Sequence, residues 1–292
     1  MGRGMAIIVR RASSFLFNRY MKVTLIQLDI AWNAPSSNRD EAERLMRMAM
    51  DSDLYILPEM FTTGFNVEPA GVAEPSEGDT LWWMQAMASE LDAAVAGSVA
   101  VRNDKGQYCN RLFFVTPDGI YRYYDKRHLF SYGGENQAYT AGEERVIVEW
   151  RGVKFLLQVC YDLRFPVFSR NGVSHETIAE CNPPLYDCAI YVANWPDSRR
   201  RVWDILTHAR ALENQCYVLA VNRVGNDPQC HYNGGTAVID AYGKDIAKAE
   251  DNISTIITAE IDMERLANFR KKFPVLADGD NCMVQIVSRT AV

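Results

Sequence analysis

Three reactive side chains each stand just past an apolar run. Glu59 closes "DLYILPE", Lys126 lies in "YRYYDKRHLF", and Cys160 closes "VKFLLQVC". A carboxylate, an ammonium and a thiol are a complete set for acyl transfer. A free thiol, with a pKa of about 8.5, is mostly protonated at neutral pH. A carboxylate can take its proton, and a lysine can hold the negative charge that develops when the thiolate attacks a carbonyl carbon. Taken singly, each has an ordinary alternative. Glu59 could cap a helix or face solvent, Lys126 could be a solvated loop charge, and Cys160 could be a small core residue. No histidine sits in a papain-like context, and no G-x-S-x-G elbow is present.

The elements that must position these residues alternate between two periodicities. Strand-like runs cover 22–30, 53–59, 93–101, 111–117, 153–160, 187–195, 216–224, 235–243 and 253–261. Several are apolar on both faces, as in a sheet buried on both sides. Helical patterns lie between them. "SNRDEAERLMRMAMD" offers Ser37 or Asn38 as a cap, with acidic residues in the first turn. "DTLWWMQAMASELD" starts at Asp79 and puts Leu81, Met84 and Ala88 on one face. "SRRRVWDILTHARALENQ" spaces Val202, Ile205, Leu206, Ala209 and Leu212 as a core-facing stripe. "RNDKGQYCN" reads as a hairpin loop, and "GNDPQCHYNGG" looks similar. A layered α/β domain with a mixed sheet is expected. Residues 21–292 read as one domain, and residues 1–20 as an N-terminal extension outside the fold. In an open α/β sheet, strand ends of the kind that carry Glu59, Lys126 and Cys160 line the site.

Composition narrows the partners. The 292 residues carry a net charge of -6, and no basic run suggests nucleic acid. The densest basic patch, "SRRR" at 198–201, reads as a solvated turn before a helix. Seven cysteines, an odd number without a C-x-x-C pair, argue for a reducing compartment, and the cytoplasm is the expected location. His175 does not begin an H-E-x-x-H motif, and Cys230–His231 has no second pair at zinc-finger spacing, so no metal is expected. No run approaches membrane-span length, and the first twenty residues do not fit a signal peptide. No cofactor is expected.

"LPEMFTTGF", "YYDKRHLF" and "VCYDLRFP" resemble, in order, the three signatures of the nitrilase superfamily of carbon–nitrogen hydrolases. The likeness runs from about Met21 to Phe273. It implies an α-β-β-α sandwich, a Glu59–Lys126–Cys160 triad, and copies that pack helix face to helix face as a homodimer or larger assembly. It also implies an assisting carboxylate at Glu135, in "GGENQAYTAG". Nitrile-hydrolysing members usually read C-W-E after the nucleophile, whereas this chain reads Cys160-Tyr161-Asp162. "CYDLRFP", "YVANWP", "ARALENQCYVLAVNRVG" and "FPVLAD" most resemble the ω-amidase branch, which hydrolyses the terminal amide of 2-oxo acids such as 2-oxoglutaramate.

That resemblance sets the expected roles. Glu59 is the base, Cys160 the nucleophile, and Lys126 with the Tyr161 backbone N–H the oxyanion donors. Glu135 orients Lys126 or the amide. Phe65, Asn194 and Trp195 are expected substrate contacts. Asp162, beside the nucleophile, would raise its pKa if it pointed inward, so an outward or capping role is expected. Arg164 reads first as an ion-pair partner of Asp162 or another carboxylate, and second as a substrate contact. The rival readings are a carbamoylase or other aliphatic amidase with the same triad, a non-catalytic binding protein, and a redox-sensing thiol protein. A binding protein should have lost at least one of the three residues.

Overall fold

The computed structural model describes residues 20–172 and 184–279. Chain order runs β1 (Tyr20–Gln27), α1 (Pro35–Arg47), β2 (Leu54–Ile56), β3 (Glu74–Pro75), α2 (Asp79–Leu91), β4 (Ala94–Arg102), β5 (Tyr108–Val115) and β6 (Tyr121–Asp125). It continues with α3 (Glu135–Ala138), β7 (Ile147–Trp150), β8 (Val153–Val159), α4 (Pro166–Ser169), β9 (Cys188–Ala193), α5 (Arg200–Asn214), β10 (Tyr217–Asn222), β11 (Val224–Asn226) and β12 (His231–Asn233). β13 (Ala237–Ile239), β14 (Asp245–Lys248), β15 (Thr255–Asp262) and α6 (Met263–Lys272) complete it.

One sheet has the order β15-β1-β2-β4-β5-β6, with β3 beside β4, and the other β14-β13-β10-β9-β8-β7. In each, three neighbouring strands run parallel: β1, β2 and β4 in the first, β8, β9 and β10 in the second. The two inner faces share one apolar core, in which Phe114 of β5 and Phe155 of β8 meet at 5.7 Å between ring centroids. A second cluster joins the outer face of the first sheet to α1 and α2. α5 covers the second sheet, giving the four-layer α-β-β-α sandwich. The near-continuous apolar runs of β4 and β10 follow from burial on both faces.

Several expectations change in detail. Lys126 does not follow directly on the 111–117 run. β6, "YRYYD", intervenes as an edge strand whose half-exposed polar face hides it from a search for apolar runs. The short β3, β7 and β14 were missed too, and the 235–243 run divides between β13 and the turn before β14. α1 begins with Pro35 at its first turn, with no side-chain cap and no acidic residue there. Asn38 lies inside the helix, and its side chain bonds the Ala31 backbone and the Thr62 carbonyl instead. The stripe on α5 holds in part. Val202 and Leu206 pack against the core, but the fully buried side is Trp203, Thr207, Arg210, Ala211 and Asn214, and Ile205 and Leu212 are 55% and 52% exposed. Polar side chains serve that inner face because they reach backbone acceptors, Trp203 to Gly235 and Arg210 to Leu163. Tyr20 already pairs with Asp262, so β1 starts one residue before the expected domain boundary. The rest of the N-terminal extension lies outside the described residues, as do His175, Cys181 and Cys282.

Phe155→Ala should cost about 3–5 kcal/mol, because it opens a cavity between the two sheets where neither can collapse. Denaturant unfolding measures this, and a loss under about 1 kcal/mol would show that the inner faces are not packed as described.

Candidate functional site

The site lies where strands of both sheets end. After β2 the chain passes through Leu57 and Pro58 to Glu59, then turns sharply at Met60, whose φ is 42°. After β8 it turns at Cys160, whose φ is 45°. Left-handed backbone at a non-glycine residue is uncommon and costs of order 1–3 kcal/mol, so neighbouring contacts must hold it. For Cys160 those contacts come from Asp162. Its carboxylate accepts the Val159 N–H at 2.9 Å, the Tyr124 hydroxyl at 2.8 Å and the His128 N–H at 3.0 Å. His128 Nδ1 lies 2.7 Å away, and its ring stacks on Phe165. Asp162 therefore caps the 3-10 turn 160–164, as expected, but from a fully buried position rather than an outward one.

Lys126 follows β6. Its N–H bonds the Asn110 carbonyl, and its own carbonyl accepts the Gly142 N–H. A Cβ at residue 142 would overlap the Asp125 carbonyl, so only glycine lets the two segments approach this closely. Glu135 opens α3, where its carboxylate accepts the Phe130 N–H at 2.6 Å.

These segments bring Glu59, Lys126 and Glu135 into one buried cluster. Lys126 Nζ is 2.8 Å from Glu59 Oε1 and 2.9 Å from Glu135 Oε2, with all three side chains fully buried. Asn110, on β5, donates from Nδ2 to Glu59 Oε1 at 2.8 Å and to Glu135 Oε1 at 3.1 Å. The second sheet closes the cluster through Asn194, just past β9. Its N–H donates to Glu59 Oε2 at 2.8 Å, and its side-chain amide donates to the Glu59 carbonyl at 2.6 Å. The Cys160 thiol lies 3.9 Å from the Asn194 carbonyl.

Electrostatics follow from burial and neighbours. Burial alone would lower the Lys126 ammonium's pKa, but the Glu135 and Glu59 carboxylates outweigh it and hold it above its ordinary value. Burial, and next the negative charge of Glu59, push the Cys160 thiol well up, against the opposing pull of Lys126. The resting site therefore holds a thiol rather than a thiolate. Burial also raises Glu135, with Lys126 opposing and Glu59 adding to the rise.

Cys160, 9% exposed, opens with Lys126 and Asn194 into a pocket of ≈ 170 Å³. Phe65, Phe130, Tyr161 and Trp195 line its sides. Arg164 and Arg199 also line it, with their guanidiniums over the Trp195 and Phe130 rings at 5.2 and 5.3 Å from the centroids. Arg164 does not pair with Asp162, whose oxygens are occupied by Tyr124, His128 and Val159, and neither arginine has a carboxylate partner among the described residues. Among those residues, no three His, Cys, Asp or Glu side chains gather as a metal site. Asn110 went unsuspected from the sequence. Its signal was a lone amide within "YCNRLFFV", a strand that is otherwise apolar apart from the adjacent Arg111.

A buried Glu–Lys–Glu cluster thus lies beside a strand-end cysteine on a four-layer sandwich. The chain belongs to the carbon–nitrogen hydrolase family, whose model matches residues 22–271. It is 44% identical over 261 residues to the omega-amidase YafV of Escherichia coli K12, covering 89% of this chain and 97% of that protein. It is 33% identical over 260 residues to the 2-oxoglutaramate amidase of Bacillus subtilis, covering 88% and 96%. A crystal structure of XC1258, a CN-hydrolase superfamily protein from Xanthomonas campestris with an arsenic adduct in its active site, superposes with a TM-score of 0.87. It is 43% identical, over 91% of this chain and 99% of that one.

Lys126→Met should destabilise the fold by about 3–5 kcal/mol, because two buried carboxylates lose their only cation. The loss should depend on pH. Glu135's carboxyl is raised in the folded state, so its protonation favours folding below the unfolded value, and that contribution fades as pH rises through the folded value. Without Lys126 the rise is larger, so the deficit should be smaller at pH 5 than at pH 8. Melting temperatures at both pH values check this, and equal deficits would speak against a charged cluster.

Proposed function

We propose that this chain is an ω-amidase, hydrolysing the terminal amide of 2-oxo acid ω-amides such as 2-oxoglutaramate to the 2-oxo acid and ammonia. The observation that carries the reading is Cys160 and Lys126 at one pocket floor, with Glu59 buried against Lys126 behind it and, along the walls, two arginines without a carboxylate partner among the described residues. The kinship to two amidases named for this chemistry supports it.

Glu59 takes the proton of Cys160 as sulfur attacks the amide carbon, the transfer that a thiol raised by burial requires. The oxyanion is held by Lys126 and by the Tyr161 N–H, which lies in the first turn of a 3-10 segment where backbone donors have no helical acceptor. Lys126 has three N–H donors. In the resting site they reach Glu59 Oε1 and both Glu135 oxygens, so the longer bond, to Glu135 Oε1 at 3.1 Å, is the one given up for the oxyanion. The C–N bond then breaks, Glu59 returns its proton to the departing ammonia, and a thioester remains on Cys160. Glu59 next takes a proton from water, whose oxygen attacks the thioester. The acid leaves and the thiol is restored. Glu135 holds Lys126 in place. Losing one oxyanion donor costs about 2.7–4 kcal/mol of barrier, enough to make Lys126 indispensable.

Phe65, Trp195 and the Asn194 backbone are assigned to the substrate's walls, and Arg164 and Arg199 to its carboxylate. A buried carboxylate needs such partners, because leaving it unpaired is costly. The protein is placed in the cytoplasm, which suits the five free cysteines among the described residues. No described helix is long and apolar enough to cross a membrane. Two copies are proposed to meet over the outer side of α5 and α6. There the exposed Leu212 lies against Gly243, and Tyr242, Phe269 and Phe273 stack together.

Cys160→Ala should abolish ammonia release while leaving the melting temperature within a few degrees, since the thiol fills little volume. Wild-type rates from the variant would overturn the mechanism. For the substrate, kcat/KM measured in one buffer should rank 2-oxoglutaramate above both glutamine and butyramide by at least about a hundredfold, since butyramide lacks the carboxylate the arginines would pair and glutamine carries an ammonium in place of the ketone. Comparable values for butyramide and 2-oxoglutaramate would reject the ω-amidase assignment and leave the Glu–Lys–Cys chemistry standing. Release of carbon dioxide with ammonia from a carbamoyl compound would favour a carbamoylase. For the assembly, Leu212→Asp should shift the mass measured by sedimentation from dimer to monomer. An unshifted dimer would place the interface elsewhere.

A further inference from the structure

We propose that Asn110 is a positioning residue of this site: its single amide nitrogen fixes both Glu59 and Glu135, and thereby selects which Glu59 oxygen serves as base. The inference rests on the hydrolytic reading above and adds a residue to it.

The orientation of the amide is forced by its neighbours. The Met60 N–H donates to Ser98 Oγ at 2.9 Å. Ser98's one proton is then directed to Asn110 Oδ1, also at 2.9 Å. With its oxygen engaged by a donor, the amide must turn its NH2 group toward the two carboxylates, 2.8 and 3.1 Å away. Ser98, Asn110, Glu59 and Glu135 are all fully buried, so none of these bonds is shared with bulk water. The relay begins at Met60, the strained residue directly after Glu59, and returns to the Glu59 side chain. Backbone and carboxylate of that turn are thus held by one chain of bonds.

The consequence lies in the occupancy of Glu59. Its Oε1 is taken by Lys126 and Asn110, both at 2.8 Å. Its Oε2 accepts the Asn194 N–H, and Glu59 has the Cys160 thiol as a further hydrogen-bonding neighbour. A carboxylate oxygen has two lone-pair sites, so Oε2 keeps one open and Oε1 does not. The proton leaving Cys160 therefore goes to Oε2. The S–H bond breaks, the O–H bond forms there, and the electron pair stays on sulfur. If Asn110 were lost, Oε1 would become a second protonation site and Glu135 would lose the same donor. The groups facing Glu59 from the packed elements are Lys126 after β6, Glu135 at the start of α3, Tyr139 just past α3, and Cys160 in the turn after β8. Of these, a side-chain change at residue 110 removes a bond only from Glu135, and it leaves the ion pairs of Lys126 with both carboxylates in place.

A hydrogen bond to an ionised carboxylate favours the ionised form, so removing it raises the pH at which the base takes up a proton. In Asn110→Leu, of similar volume, the acid limb of the kcat/KM profile should move up by about one pH unit. kcat for 2-oxoglutaramate should fall about tenfold or more, with KM within about threefold. A second readout needs no substrate: the pH dependence of Cys160 alkylation by iodoacetamide should shift in the same direction. If the wild-type protein releases no ammonia from any amide yet the alkylation shift appears, the hydrolytic reading fails and the positioning role stands. Ser98→Ala keeps Asn110 but removes the proton that orients it, and should give a smaller shift of the same sign. A folded Asn110→Leu variant with wild-type limbs in both readouts overturns the proposal. If that variant does not fold, unshifted limbs in Ser98→Ala overturn it.

Discussion

The structure depends on one buried ammonium. Lys126 sits between Glu59 and Glu135 with no solvent contact, and each partner comes from a different segment of the chain. Burying one unpaired charge would be prohibitive, and burying three is tolerable only where they pair with one another and most of their lone pairs and protons are matched. That requirement explains the surrounding amides and backbone donors. Asn110, Asn194 and the Phe130 N–H all point at carboxylate oxygens. It also explains the exactness asked of the loops. Gly142 permits the close approach beside Lys126, and Pro58–Glu59–Met60 turns within a few residues of its strand.

The second constraint is the turn at Cys160. A left-handed cysteine at the end of β8 is unfavourable by itself, and Asp162 offsets this by capping the turn while anchoring Tyr124 and His128 from the segment around Lys126. The carboxylate nearest in sequence to the nucleophile is therefore spent on architecture, and the one 101 positions upstream, Glu59, faces the chemistry. Asp162 ties the two sheets together at the point where their residues must meet. In the proposed reaction this matters because oxyanion donors act through fixed geometry rather than strength alone.

The pocket walls illustrate a division between charge that is matched inside and charge left for a ligand. Arg111 and Arg270 are paired with Asp125 and Asp187. Arg164 and Arg199 instead lie across aromatic rings, which keep a guanidinium in place without neutralising it. In the proposed function these are the cations assigned to the substrate's carboxylate.

The sequence by itself determined the class of the fold and singled out Glu59, Lys126 and Cys160 as the candidate trio. Apolar runs that end in Glu59 and Cys160 announce buried strands delivering polar groups to an edge, and residue order carries the family likeness. Those are local properties, and the periodicity of one segment is enough to read them. Three things were decided only in three dimensions. β6 and the inner face of α5 owe their places to neighbours: an edge strand can be polar, and a helix can turn Trp203, Thr207 and Arg210 inward when backbone acceptors wait there. Asp162 and Arg164, two residues apart, look like a natural ion pair in the chain but point to different partners, because the turn sends one inward and the other to the pocket. Asn110 looked like one more strand residue. Its importance comes from pairing distant carboxylates, a relation between positions 51 and 25 residues away. Only the packing of the strand ends creates that relation, since hydrogen bonding in a buried site is set by which groups are brought together and not by the order in which they were joined.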